Sequence, residues 1–143
     1  MEVSRDDGYA LSDSTGRLDR AWVSSWLAEQ SYWAVGRPRA VQDRAIDESL
    51  CFGVYSPDGA QVGFCRYVTD RATFAWMCDV FVDEAHRGRG LGAWMVATSL
   101  EHPDLVLVRR QVLVTSTAHD LYARFGFASV ADADAAKWMV RLQ

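Results

Sequence analysis

Apolar residues recur along this chain with two different periods, and the change of period divides it. From about Arg17 to Glu29, Leu18, Ala21, Trp22, Trp26 and Leu27 fall near helical spacing and predict a helix with one apolar face. The stretch "SYWAVGRPR" breaks that pattern with Gly36 and Pro38 and predicts a loop. Pro38 suits a first helical turn, so a second helix is expected from there to about Ser49. Beyond it the period shortens. "LCFGVYS" and "QVGFCRYVT" are β-rich runs joined by the turn "PDGA", an expected antiparallel hairpin, and "TFAWMCDVFV" is a further strand. A glycine loop then leads into a helix that Pro103 stops near Glu101. "QVLVTS" reads as a strand, "AHDLYARF" as a short helix closed by Gly126, and "KWMVRL" as a last strand; a short strand at Tyr9 to Ser12 precedes everything. The strand, loop, helix and strand around the glycines form a βαβ unit whose two strands should be parallel.

These elements fit an α/β domain spanning 1–143, and the composition changes that picture little. Half of the 143 residues are hydrophobic and 24% are charged, an ordinary globular balance. A net charge of −4 argues against a nucleic-acid or anionic-membrane binder. No apolar run approaches the roughly 20 residues of a membrane span, and the polar start "MEVSRDDGYALSDSTG" does not read as a secretory signal, so a cytoplasmic protein is expected. Cys51, Cys65 and Cys78 form no Cys-x-x-Cys pair, and the three histidines show no ligand spacing. Buried strand thiols are expected, with neither a metal site nor a disulfide framework.

The chemistry concentrates in "HRGRGLGAW", where Gly88, Gly90 and Gly92 alternate with Arg87, Arg89 and Leu91 before Ala93. Bare backbone N–H groups at a helix start attract phosphate, and glycines let it come close. A Walker loop would need Gly-Lys-Ser/Thr after its last glycine, and Gly92 is followed by Ala93 and Trp94. A dinucleotide fingerprint fits the glycine spacing, but the next strand ends "LVTSTA" without the acidic residue that a ribose requires.

The same residues read as Arg87-x-x-Gly90-x-Gly92 directly after a strand, and "LYARFGF" follows at Leu121 to Phe127. In both segments the chain resembles the GNAT superfamily of N-acetyltransferases, which carry Arg/Gln-x-x-Gly-x-Gly/Ala and later Leu-Tyr-x-x-x-Gly-Phe. The resemblance covers nearly the whole chain. It implies a mixed central sheet of about six to seven strands flanked by about four helices, with a splayed strand pair at the acyl-CoA site. It further implies that Val80, Phe81 and Val82 offer backbone groups to the pantetheine of acetyl-CoA. Gly88, Gly90, Leu91, Gly92 and Ala93 would hold the pyrophosphate, with Arg87 and Arg89 in support. Thr115 stands where many members have an Asn that contacts the pantetheine, and its reach is shorter.

For transfer of the acetyl group to a primary amine, the resemblance makes Tyr122 the general acid. Its reference pKa of about 10, against about 8.5 for a thiol, makes full proton transfer uphill by roughly 2 kcal/mol. Asp79, acidic within an apolar strand, is either a base or ammonium contact or a buried salt bridge, with Arg66 as a candidate partner. Asp83 and Glu84 read as solvated, and His119 could share a helix face with Tyr122. Tyr32 and Trp33 are expected to wall the acceptor site. A non-catalytic acyl-CoA-binding module is the alternative. Family members commonly dimerise, and the six tryptophans are compatible with a homodimer.

Overall fold

Six strands lie side by side in chain order: β1 (Glu2–Ser4), β2 (Ala10–Ser12), β3 (Leu50–Tyr55), β4 (Gln61–Thr69), β5 (Phe74–Val82) and β6 (Arg110–Val112). Each pair is antiparallel except β5 with β6, which is parallel as the βαβ reading requires. The protein is described by a computed structural model covering residues 1–130 and 132–141. The helices are α1 (Arg20–Gln30), α2 (Arg39–Asp47), α3 (Leu91–Leu100), α4 (His119–Ala123) and a single turn, α5 (Asp132–Ala135).

Local chemistry sets the helix starts. Asp19 accepts a hydrogen bond from the Trp22 N–H at 2.9 Å and caps α1. Pro38 is the extended residue before α2, where its missing N–H costs nothing. Helices cover both sheet faces. Val23 and Leu27 of α1 and Ile46 of α2 pack with Cys51, Phe64 and Phe81 on one side. Leu91, Met95 and Val96 of α3 pack with Phe52, Cys65 and Tyr67 on the other. Neighbours in sequence thus point to opposite cores, which explains why β3 is apolar and buried throughout.

The structure differs from the sequence reading at three places. β1 has no counterpart there. It pairs with β2 across a turn in which Gly8 has φ +86°. The run "QVLVTS" is a strand only at its start, because the chain leaves the ladder after Val112. The expected last strand is absent from residues 137–141, and Leu142 lies outside the described residues. In that segment the Lys137 and Trp138 N–H groups close local turns onto Asp134 and Ala135 at 2.9 and 3.0 Å, so the chain bonds to itself rather than to a neighbouring strand.

One irregularity bends β5 near its end. Between Phe64↔Phe81 and Arg66↔Cys78 the register slips, so that Cys65 alone faces both Asp79 and Val80. This is a β-bulge, and Asp79 sits in it with φ +52°. Trp26 stacks on Phe81 with ring centroids 3.8 Å apart, while Trp22 and Phe64 close on the same ring. The far end of β5 is thereby clamped on its α1 face.

Candidate functional site

The glycine loop is a strip of unpaired donors. Gly88 and Gly90 adopt φ +76° and +74°, which L side chains rarely adopt, and a Cβ built on either would meet nothing within 4 Å. Gly92 is already helical and needs no such freedom. Trp94 is the first residue of α3 whose N–H finds a backbone acceptor, the Gly90 carbonyl at 3.0 Å. Among the described residues, the N–H groups of Gly88, Arg89, Gly90, Leu91, Gly92 and Ala93 have no hydrogen-bond partner. Bare amides at a helix start, with the helix dipole behind them, suit an anion.

Basic side chains brace the loop. Arg87 donates from Nε to the Val82 carbonyl at 3.0 Å. Arg5, a residue the sequence did not single out, donates to the Arg89 carbonyl at 3.2 Å and lies over the Trp94 ring. A cavity of about 390 Å³ runs from this loop past Val80, Phe81 and Val82 to Tyr122.

Strand divergence makes room for it. β5 and β6 pair only from Phe74↔Arg110 to Trp76↔Val112, and no ladder pair joins them farther on. A second cavity, about 570 Å³, fills the widening gap between Cys78 and Val80 on one wall and Leu113 and Thr115 on the other. Val80, Ala118 and Tyr122 line both cavities, so the two meet at Tyr122.

Tyr122 is 8% exposed and packs edge-on against Phe127. Its hydroxyl has no hydrogen-bond partner among the described residues. Burial, reinforced by Cys65 and Tyr32 nearby, pushes its pKa up to about 12, so the phenol stays protonated at neutral pH.

The larger cavity is where Tyr32, Trp33 and Asp79 come together. Asp79 Oδ2 accepts from Arg37 and from Arg66, both at 2.7 Å, and Oδ1 accepts from the Trp33 indole at 3.1 Å. Burial alone would raise its pKa. The Arg37 hydrogen bond, the Arg66 charge and the remaining contacts of the two guanidiniums outweigh that and hold the carboxyl below the usual range. The salt bridge with Arg66 is therefore present. Arg37 is an additional partner that no local pattern announced, since it lies 42 residues before Asp79. Gln42 and Ser49 hold the two arginines in turn, at 2.7 and 3.2 Å.

Thr115 lines the larger cavity, but its hydroxyl accepts from the Ala118 N–H at 3.0 Å and closes the turn into α4. His119 is exposed and lines neither cavity; Glu84 is exposed and Asp83 is half-buried.

A family description, "Acetyltransferase (GNAT) domain", matches residues 47–129. A crystal structure from Xanthomonas campestris pv. campestris, assigned to the GNAT family, is 41% identical, covers 94% of this chain and 93% of its own, and superposes with a TM-score of 0.89. A Gibberella zeae protein bearing an acetyltransferase name is 27% identical over 81% of this chain and 76% of its own. The Mycobacterium tuberculosis protein Rv2747, whose structure is in complex with CoA, shares the fold at 18% identity and a TM-score of 0.68, covering 89% of this chain and 79% of its own.

Proposed function

The chain belongs to the GNAT acetyltransferase family, and from that premise we propose that it moves an acetyl group from acetyl-CoA to a primary amine by direct attack. The observation that carries this reading is the row of unpartnered N–H groups from Gly88 to Ala93, opening into the cavity that ends at Tyr122. A diphosphate fits such a row, because every donor is uncommitted and the left-handed glycines present no Cβ to it. The parted edge of β5 at Val80 to Val82 offers main-chain groups to an extended pantetheine arm. Acetyl-CoA supplies the acyl group and a thiolate leaving group.

The remaining steps fall to the chain. In this reading a backbone N–H of the Asp79–Val80 bulge stabilises negative charge on the thioester oxygen. The amine nitrogen forms a bond to the carbonyl carbon, the carbon–sulfur bond breaks, and the sulfur takes up a proton. Tyr122 is the donor. Against a thiol near 8.5, its pKa of about 12 puts full proton transfer uphill by about 5 kcal/mol rather than 2. The hydroxyl therefore acts first as a hydrogen-bond donor, and its proton moves only as charge gathers on the departing sulfur. The proton lost by the amine restores the phenol through water.

We assign no base role to Asp79, whose carboxylate is already engaged by Arg37, Arg66 and Trp33. A positive wall instead lowers the pKa of a bound amine and favours its neutral, attacking form. Cys78 lines the same cavity, but burial pushes its thiol up to about 11, which disfavours a covalent acyl-enzyme route.

Release of free thiol from acetyl-CoA, measured across a panel of amines, tests the reading. Tight CoA binding with no turnover on any amine would support the non-catalytic module instead. In the same assay Tyr122→Phe should lower kcat at least tenfold, about 1.4 kcal/mol of barrier, and leave CoA affinity nearly unchanged. An unaltered rate would remove Tyr122 from the mechanism.

A further inference from the structure

The larger cavity carries an electrostatic signature that points to a class of acceptor. Its titratable lining consists of Arg37, Arg66, Asp79, Cys78, Tyr32 and Tyr122, and burial keeps the Cys78 thiol and the Tyr122 phenol protonated. Two guanidiniums against one carboxylate leave the wall with one net positive charge. Asp79 offers little to a cation, because its side chain is 1% exposed and its charge is already met by Arg37 and Arg66. No other carboxylate lines the cavity among the described residues.

The arginines, by contrast, are only partly used. Arg37 spends Nη1 on Gln42 and Asp79, and its Nε and Nη2 have no acceptor among the described residues. Arg66 spends Nε on Asp79 and Nη1 on Ser49, and its Nη2 is likewise uncommitted. Both side chains are held in place by these bonds and largely shielded from water, at 21% and 12% exposure. Fixed, half-satisfied guanidiniums in a sheltered wall are suited to a carboxylate, which can accept from the planar fork. Much of the remaining wall is apolar or aromatic, with Trp33, Trp76, Val68 and Leu113, and Thr115, Ser116 and Thr117 add a hydroxyl-bearing side.

We propose that the acceptor is an amine that also carries a carboxylate on an apolar or aromatic body, with an α-amino acid as the simplest form. The carboxylate rests on Arg37 and Arg66, the apolar part lies against Trp33 and Trp76, and the amine reaches the junction at Tyr122. This inference rests on the acetyl-transfer reading. It excludes polyamines and basic side chains as preferred acceptors, since an extra ammonium would face two arginines with no free carboxylate.

The test compares matched pairs. A set of amino acids with apolar and aromatic side chains is assayed by thiol release beside the corresponding amino-acid amides, with spermidine and phosphoethanolamine as further arms. At least a tenfold higher kcat/KM for the carboxylates is expected. Equal rates for acids and amides, or a best rate with spermidine or phosphoethanolamine, would overturn the proposal.

Arg37→Gln should raise KM for the acid at least tenfold, change kcat much less and leave the amide's KM unmoved. A merely structural role would shift acid and amide alike, which would count against the proposal. Calorimetry on the wild-type protein saturated with CoA keeps the two readings apart. CoA binding with no binding of any amino acid overturns this inference alone, whereas failure to bind CoA strikes the acetyl-transfer reading beneath it.

Discussion

Asp79→Asn is expected to lower unfolding free energy by about 3 kcal/mol, the lower end of the cost of removing one partner from a buried ion pair. The reason is what stays behind. Asn tolerates the left-handed backbone that Asp79 adopts at φ +52°, so the bulge survives, but Arg37 and Arg66 then face each other with no negative charge between them. Partial exposure of Arg37 keeps the loss from being larger.

The pH dependence has a definite sign. A carboxyl whose folded pKa is depressed contributes stability in full above its unfolded value of about 3.9, and that contribution fades as pH falls through the folded value. Chemical denaturation should therefore show a wide gap between wild type and variant at pH 7 that narrows in acid below about pH 4. A gap under about 1 kcal/mol at pH 7 would mean that water, not the arginine pair, sets the charge on Asp79.

Gly90→Asp is expected to weaken CoA binding at least a hundredfold, or about 2.7 kcal/mol. Two effects act together. A non-glycine residue at φ +74° costs roughly 1 kcal/mol of backbone strain, and the new carboxylate would stand among the N–H groups assigned to the diphosphate. Because a Cβ at this position meets nothing within 4 Å, the folded chain has room for the side chain. The damage should thus appear in calorimetric affinity and not as misfolding. Normal CoA affinity in this variant would mean that the loop does not hold the phosphates.

Where sequence reading succeeded, the local pattern was strong. Gln61–Thr69 begins and ends where "QVGFCRYVT" does, because turn residues bound an apolar run on both sides. The left-handed glycines of the loop were legible as spacing. The reading failed where partners are remote or signals short. β1 has one apolar residue, Val3, and its only cue was Asp7-Gly8 between two short runs. "KWMVRL" looked like a strand by composition, yet composition cannot say whether a neighbouring strand is available to pair with it.

Asp79 is the instructive case. An acidic residue in an apolar strand told that something must compensate it, and Arg66 was within sequence reach as a hairpin neighbour. Arg37 and Trp33 come from the loop and helix start of a different layer, so only the packed chain reveals that the carboxylate is committed. The charge of the larger cavity depends on that commitment, and no local pattern of residues encodes it.

The early parting of β5 from β6 after Trp76 has an effect on the molecule as a whole. A sheet that leaves its own cleft unfilled hands part of its cohesion to whatever small molecule fills it. With donor at a hundred times its Kd, about 2.7 kcal/mol of resistance to unfolding would come from outside the polypeptide. Resistance to proteases and to heat should therefore rise together when a ligand of the cleft is added.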